Sequence, residues 1–512
     1  MRTRLHRSAA SREMSMSMKA SFPCGRVPVI PATRREFLQQ TALGFGSLAF
    51  AALVTQSTAG TPIDSRALST GSPLAPKLPH FQPRAKRVIL LFMEGGPSHV
   101  DLLDYKPELF RRHGQRLSAE SLPRHFREGK AENPEDFGPL MATPVKFKQY
   151  GQSGLWLSDV IPHIAQCADQ LCVLKGMVCD STEHGTAVQQ FHTGMVVPRP
   201  SMGAWITYAL GTENQNLPGF VVISPPAGTT INCGSGFLPP IYQATLLHNT
   251  DKSSGEKLRY LTDPRLPPEL RRKQLELLRE INREHAQRAG QDTTLESMIE
   301  SFEMAARMQL SAPEVLDISR ETPETMARYG IGAGETDSFG RQCLLARRLV
   351  EAGVRFIQVT SKGWDHHNMI HRSLRSSCAR VDKPTAALLT DLKQRGLLDD
   401  TLVIWSGEFG RTPLVQGVRG KTTLNYEALG RGHNPYGWSL WLAGGGVKGG
   451  FCYGKTDDFG FQAVEDRVHI HDLHATILYL LGLDHERLTY RHAGRDFRLT
   501  DVHGRVVKEI VA

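Results

Sequence analysis

Five short apolar runs, each breaking off into a turn rich in glycine, histidine or carboxylate, constrain this chain more than any other feature of its sequence. Arg87 to Met93 (RVILLFM) ends in Glu94-Gly95-Gly96-Pro97-Ser98-His99. Leu171 to Met177 leads to Cys179-Asp180-Ser181-Thr182-Glu183-His184, and Val354 to Thr360 to Ser361-Lys362-Gly363-Trp364-Asp365-His366-His367. Thr401 to Trp405 ends in Ser406-Gly407-Glu408-Phe409-Gly410-Arg411, and Ser439 to Ala443 ends in three glycines. Continuous apolar strands separated by helical stretches predict a mostly parallel α/β sheet buried on both faces. Open sheets of this kind bind ligands beyond the carboxyl ends of their strands. The polar turns lie there, so one ligand site assembled from distant segments is expected.

The stretches between the runs read as helices. Asp337 to Ala352 carries Cys343, Leu344, Leu345, Leu349 and Val350 among arginines, an amphipathic pattern. Asp472 to Leu481 predicts a helix with Asp472 as its N-cap and Gly482 closing it. Pro267 to Met308 alternates acidic and basic residues, which predicts a solvated helical insertion packed beside the sheet, within about 255–335.

Ahead of the first run, Thr33-Arg34-Arg35-Glu36-Phe37-Leu38-Gln39 feeds an uncharged stretch, Thr41 to Val54. A basic region before a short apolar one is the form of a signal peptide, and the arginine pair marks the twin-arginine variant. Roughly 20 apolar residues are needed to span a bilayer, so this stretch is too short for a membrane helix. Residues 1–60 are therefore expected to act as an export signal and N-terminal extension recognised by the twin-arginine translocase. That places the mature chain in the periplasm or another extracytoplasmic compartment. No small-x-small cleavage site stands out near Ala59-Gly60, so an uncleaved anchor stays open. After a linker over 61–86, residues 87–512 read as one large domain, since no Pro/Ser linker divides them.

The leader also explains the charge. The chain is +9, but residues 1–54 hold eight Lys/Arg against two Glu, which leaves +3 for the remainder. With no basic stripe interleaved with aromatics, nucleic acid is not an expected partner. Seven cysteines follow Cys24 without a CxxC or regular spacing, which indicates neither a zinc ribbon nor a disulfide scaffold. Cys167, Cys172 and Cys179 are expected as buried thiols, with oxidation of one pair the alternative.

Among twenty histidines the informative ones stand beside carboxylates in turns. Asp365 and His367 alternate at a strand end and can point the same way. Glu408 follows another strand, and His433 lies in Gly430-Arg431-Gly432-His433-Asn434-Pro435. Carboxylate with imidazole is ligand chemistry for zinc, manganese or iron, and the lack of cysteine points to a hydrolytic site. A surface Asp–His hydrogen bond is the plain alternative. Glu94 and Asp101 flank Gly95, Gly96 and Ser98. That segment reads either as a backbone cradle for an anion or as a strand-to-helix turn. Arg411 is a candidate clamp for an oxyanion.

These segments, taken in order, resemble the exported family known as domain of unknown function 1501, related to the alkaline phosphatase and sulfatase superfamily. The resemblance rests on Gly95-Gly96-Pro97-Ser98-His99 with Asp101, Asp104 and Lys106-Pro107. It continues through His184 with Thr193-Gly194, Gly363-Trp364-Asp365 with His367, Gly407-Glu408-Phe409-Gly410-Arg411, Gly432-His433-Asn434-Pro435 and Asp472-Leu473-His474. It implies an alkaline-phosphatase-like sheet flanked by helices, with two divalent metals at the strand ends. Asp365, His367 and His433 resemble one metal's ligands. Glu408 and Glu94, with Asp101 as a substitute, resemble the carboxylates of the other. Counting back from Thr193-Gly194 to the family's nucleophile lands on His184, so Thr182 is the candidate nucleophile and His184 a ligand or general base. Glu408-Phe409 stands where the family has Asp-His, which puts one metal in doubt.

The expected cofactors are one or two divalent ions: zinc, manganese or calcium. The expected activity is hydrolysis of phosphate or sulfate esters. The alternative is a non-catalytic envelope protein that binds sulfated or other anionic glycans.

Overall fold

The apolar runs become the strands of one nine-stranded sheet. The computed structural model describes residues 72–127, 137–226, 228–248, 267–289, 293–418 and 423–512. The expected twin-arginine leader, residues 61–71 of the expected linker and the first part of the expected insertion lie outside them. The sheet strands are β1 (Arg87–Met93), β2 (Leu171–Val178), β3 (Phe220–Ile223), β4 (Thr245–Leu247) and β5 (Phe356–Ser361). They continue with β6 (Thr401–Ser406), β7 (Trp438–Ala443), β8 (Phe451–Tyr453) and β9 (Val468–His469). The order is β8-β2-β7-β6-β1-β5-β3-β4, with β9 also beside β2. All pairs are parallel except those of β7, which runs antiparallel to β2 and β6. This is the expected mostly parallel sheet flanked by helices, made mixed by the antiparallel β7.

Burial on both faces explains the unbroken apolar composition: every residue from Val88 to Met93 is fully buried. The helix Asp337–Glu351 packs against β5 and against Ile370–Gln394. Register aligns the strand ends into a common edge. Met93 pairs with Ser361, and Phe92 with Ser406, so the turns after β1, β5 and β6 emerge side by side. A three-stranded antiparallel sheet (Gly430–Asn434, Gly410–Gln416, Phe137–Leu140) adjoins this edge in sequence and carries Arg411 and His433 opposite each other.

Two local expectations change. The helix near the C-terminus is Ile470–Leu480, and its N-cap is His469 rather than Asp472. His469 Nδ1 accepts from the His471 N–H at 3.2 Å, while Asp472 Oδ2 accepts from the His469 N–H at 3.0 Å. Asp472 is thus the third helical residue of a capping box, and Gly482 (φ +76) follows the helix end. The charged insertion forms two helices, Pro268–Ala289 and Thr293–Leu316. The second is not merely solvated, because Met304, Met308, Ala312 and Leu316 are buried in the main core. All seven cysteines among the described residues are free thiols, six of them buried. Burial pushes the Cys172 thiol up to about 12. No described helix is long and apolar enough to cross a membrane.

Candidate metal centre

Three segments at the carboxyl edge bring Asp365, His367, His433 and His184 together. One ligand atom from each lies within 4.8 Å of the others. Asp365 Oδ1 is the focus, 2.8 Å from His367 Nε2, 3.2 Å from His184 Nε2 and 3.7 Å from His433 Nε2. His184 is the first residue of helix His184–Thr193, delivered by the turn after β2. Asp365 and His367 follow β5, and His433 sits in the strand just before β7 turns back along the sheet.

The orientation of the rings is set from behind. His184 Nδ1–H donates to Glu408 Oε1 at 2.6 Å, His433 Nδ1–H to the Thr182 carbonyl at 2.7 Å, and His367 Nδ1–H to the Gln416 side-chain oxygen. Each partner oxygen only accepts, so each Nδ1 carries a proton and a neutral ring has its lone pair on Nε2. Three Nε2 atoms therefore face one carboxylate oxygen, the arrangement that outer partners impose on metal-binding imidazoles. The Nε2 of His184 has Asp365 Oδ1, 3.2 Å away, as its partner. Ligand atoms about 3.4 Å apart are what a tetrahedral zinc ion requires. The donor set and its spacing fit a small divalent cation.

Electrostatics agree with that fit. Burial alone would lower the His184 pKa, but hydrogen bonds and charge from Asp365 and Glu408 outweigh it and raise it to about 9. Partial burial would raise the Asp365 pKa. The three histidines and Arg411 instead hold it far below the usual carboxylate range. Phe409 closes one side, its ring centroid 4.9 Å from that of His184 and 4.6 Å from that of His433.

The remaining expected residues fall elsewhere. Glu408 is fully buried and spent on orientation, since its two oxygens also accept the Gly95 N–H at 3.0 and 3.2 Å. Arg411 is fully buried as well. Its Nε donates to the Gly96 carbonyl at 2.9 Å, and its Nη1 to the Arg431 carbonyl at 3.1 Å and towards His367 Nε2 at 3.4 Å. Its Nη2 donates to Asp365 Oδ1 at 2.6 Å and to the Gly95 carbonyl. These contacts occupy its N–H groups, so Arg411 positions Asp365 and does not clamp a substrate oxyanion.

Gly95 and Gly96 form the tight-turn alternative rather than an anion cradle. The Gly95 N–H faces Glu408, and both carbonyls face Arg411. A Cβ on Gly95 (φ +121) would stand 2.5 Å from the Asp365 nitrogen, so only glycine allows this close approach. Asp101 is not a substitute metal ligand. It is fully buried and paired to Arg431 by two bonds of 2.8 and 3.0 Å, and it accepts the Ser98 hydroxyl at 2.5 Å. Ser98 is thereby removed from substrate contact too. Glu94 is not part of the four-residue group; its charge adds to the burial that pushes the Cys233 thiol up to about 12. The carboxylates expected for a second metal are not assembled, and Arg411 stands as a fixed cation against Asp365. Thr182 is half-buried and tied to the cluster through its carbonyl.

Sequence reasoning missed Gln416 and Arg431. Gln416 had no local signal. Arg431 was visible only as part of the turn that holds His433, and its partner Asp101 is 330 residues away.

Residues 85–511 match the family described as protein of unknown function (DUF1501). No curated protein matches the chain. Among solved structures, it is similar to the PsFucS1 sulfatase from Pseudoalteromonas sp. The identity there is 12%, over 79% of this chain and 69% of that one, with a TM-score of 0.34. It is also similar to LtaP, a lipoteichoic acid synthase from Listeria monocytogenes, at 8% identity over 78% and 72% of the two chains and a TM-score of 0.31. A third is the TAB5 alkaline phosphatase, in a mutant with Mg bound, at 12% identity over 78% and 99% and a TM-score of 0.30. These likenesses are of fold alone.

Proposed function

The chain belongs to the DUF1501 family of proteins of unknown function, so membership carries no activity with it, and we propose from the site itself an exported, metal-dependent hydrolase of phosphate or sulfate esters. The observation that carries this reading is the convergence of three Nδ1-anchored histidines on Asp365 Oδ1. His184, Asp365, His367 and His433 would hold one divalent ion. Three imidazole nitrogens to one oxygen suit zinc or another first-row ion rather than calcium, which takes oxygen ligands. Such an ion supplies a Lewis acid that polarises an ester oxygen.

The chain's own residues do the rest. Glu408, Gln416 and the Thr182 carbonyl fix ring orientation, Arg411 keeps Asp365 ionised, and Phe409 excludes water from one side. Thr182 is the candidate nucleophile, a half-buried hydroxyl residue two positions before His184. The twin-arginine leader supports folded export to the periplasm or another extracytoplasmic compartment.

A non-catalytic protein binding anionic glycans is the second reading. It is favoured by Arg411 and Glu408, both spent on internal bonds and unable to reach a substrate.

Aryl sulfate and aryl phosphate turnover by protein loaded with zinc or manganese tests the proposal. Turnover abolished by Asp365→Asn and by Thr182→Val is expected. Stoichiometric metal without turnover of either ester would favour the binding protein.

A further inference from the structure

A second polar surface lies on the same edge, across β5 from β1. A cavity of about 650 Å³ opens at the ends of β3, β4 and β5, within the size range of small-molecule sites. Thr360, Ser361 and Lys362 line it, three residues short of the metal-ready Asp365, so one strand end serves both places.

Two cations face this space. Arg380 is pressed against the Lys362–Gly363 turn, its Nη2 donating to the Lys362 carbonyl at 3.0 Å and to Ser377 Oγ at 3.3 Å. Its buried Nε has no protein partner. Gly363 takes a left-handed backbone (φ +88) at this turn, a conformation that favours glycine. Among the described residues, neither Lys362 nor Arg380 makes an ion pair with a carboxylate. Glu335 also lines the cavity and is exposed, which leaves two positive charges against one negative beside His248.

The remaining wall is built rather than incidental. Gln342, only 5% exposed, donates to Ser224 Oγ at 2.9 Å. Ser224 holds a left-handed backbone (φ +53) at the end of β3, a conformation that is costly for a non-glycine residue and concentrated at functional sites. Phe339, Leu247 and Pro225 add an apolar face. Cations without a carboxylate partner, hydroxyl and amide groups, and an apolar face together match an acidic sugar. Its anionic group meets the cations, its hydroxyls the polar side chains, and its C–H face the apolar side chains.

The geometry points to this cavity as the subsite for the non-reacting part of the substrate, an acidic sugar whose anionic group sits between Lys362 and Arg380. This inference rests on the hydrolase reading, whose reacting ester would lie at the Asp365 cluster.

The test is titration of the full-length protein with a sulfated, uronate-containing disaccharide, with lactose as the neutral control. The expected result is at least tenfold tighter binding of the acidic sugar. Lys362→Ala with Arg380→Ala should close that gap. The exposed charge reversal Lys362→Glu, which leaves the core untouched, should also close it, and Lys362→Arg should keep it. Asp365→Asn should leave sugar binding within twofold of wild type while losing the metal. Equal binding of both sugars would overturn the inference, as would binding unaffected by the cation variants. Loss of sugar binding in Asp365→Asn alone would place the sugar at the metal cluster and overturn it too. Absent sugar binding with metal content intact would sink this inference and leave the hydrolase reading standing.

Discussion

Replacing Glu408 by glutamine should weaken metal binding about 10- to 100-fold, the usual cost of losing an outer partner of a ligating histidine. The carboxylate is fully buried and accepts three contacts, two from the Gly95 N–H and one from His184 Nδ1 at 2.6 Å. Glutamine has nearly the same shape but one accepting oxygen, which in the place of Oε1 must serve both His184 and Gly95, while its amide nitrogen takes the place of Oε2, 3.2 Å from the Gly95 nitrogen. The amide then sets one buried N–H donor against another, at a cost of about 1–3 kcal/mol. The bond to His184 also loses its charge assistance, which roughly halves such a bond. The predicted loss in affinity corresponds to about 1.4–2.7 kcal/mol, of the same size as these terms. With one of its two carboxylate partners gone, His184 should also titrate lower than about 9. Chelator competition for zinc above a pH of about 9, where no His184 proton competes with the metal, reads the affinity, and thermal denaturation of the metal-free forms confirms folding. Affinity within twofold of wild type in a folded variant would refute the idea that Glu408 orients His184. A loss as complete as that of Asp365→Ala would mean that Glu408 is itself a ligand.

Three further outcomes follow from the same geometry. Asp101→Ala should cost about 3–5 kcal/mol of stability by leaving Arg431 buried and unpaired, as chemical denaturation would show. Normal stability with lost metal would instead return Asp101 to the metal site. Gly95→Ala should displace Asp365, because its Cβ would meet the Asp365 nitrogen at 2.5 Å, and the measurable result is lost metal with a lowered Tm. In the metal-free protein the raised His184 pKa stabilises the fold fully below about 6.5, and this contribution is lost as pH rises through about 9. Its Tm should therefore fall across that window. Zinc affinity should rise about tenfold per pH unit over the same range, since binding displaces the His184 proton. A flat affinity profile would contradict the pairing.

The sheet could be read from the sequence because burial on both faces demands unbroken apolar runs, and those runs mark their own ends. Strand direction could not: Ser439 to Ala443 has the same composition as its parallel neighbours, and only its pairing shows it to be antiparallel. In the site, Asp365 and His367 stood out because imidazole beside carboxylate at a strand end has few structural uses, whereas His433 has no carboxylate neighbour in sequence and meets Asp365 only through the pairing of its strand. Asp101 and Ser98 misled for a physical reason. A short polar side chain near a glycine turn has the same local signature whether it faces a ligand or, as here, a buried arginine 330 residues away. Arg411 was visible as a cation near the site, but whether its donors face solvent or backbone carbonyls depends on the approach of the Gly95-Gly96 turn. His469 took the cap expected of Asp472 because the ring nitrogen of histidine can accept an N–H as well as a carboxylate does. That choice is fixed by tertiary position, not by residue preference.

The central claim is a single-ion site made of His184, Asp365, His367 and His433. Elemental analysis of metal in protein purified without chelator, alongside Asp365→Ala and His433→Ala, tests it most directly. The account predicts about one equivalent of a transition metal in wild type and none in either folded variant. No stoichiometric metal in folded wild type, or two equivalents that survive these substitutions, would contradict it.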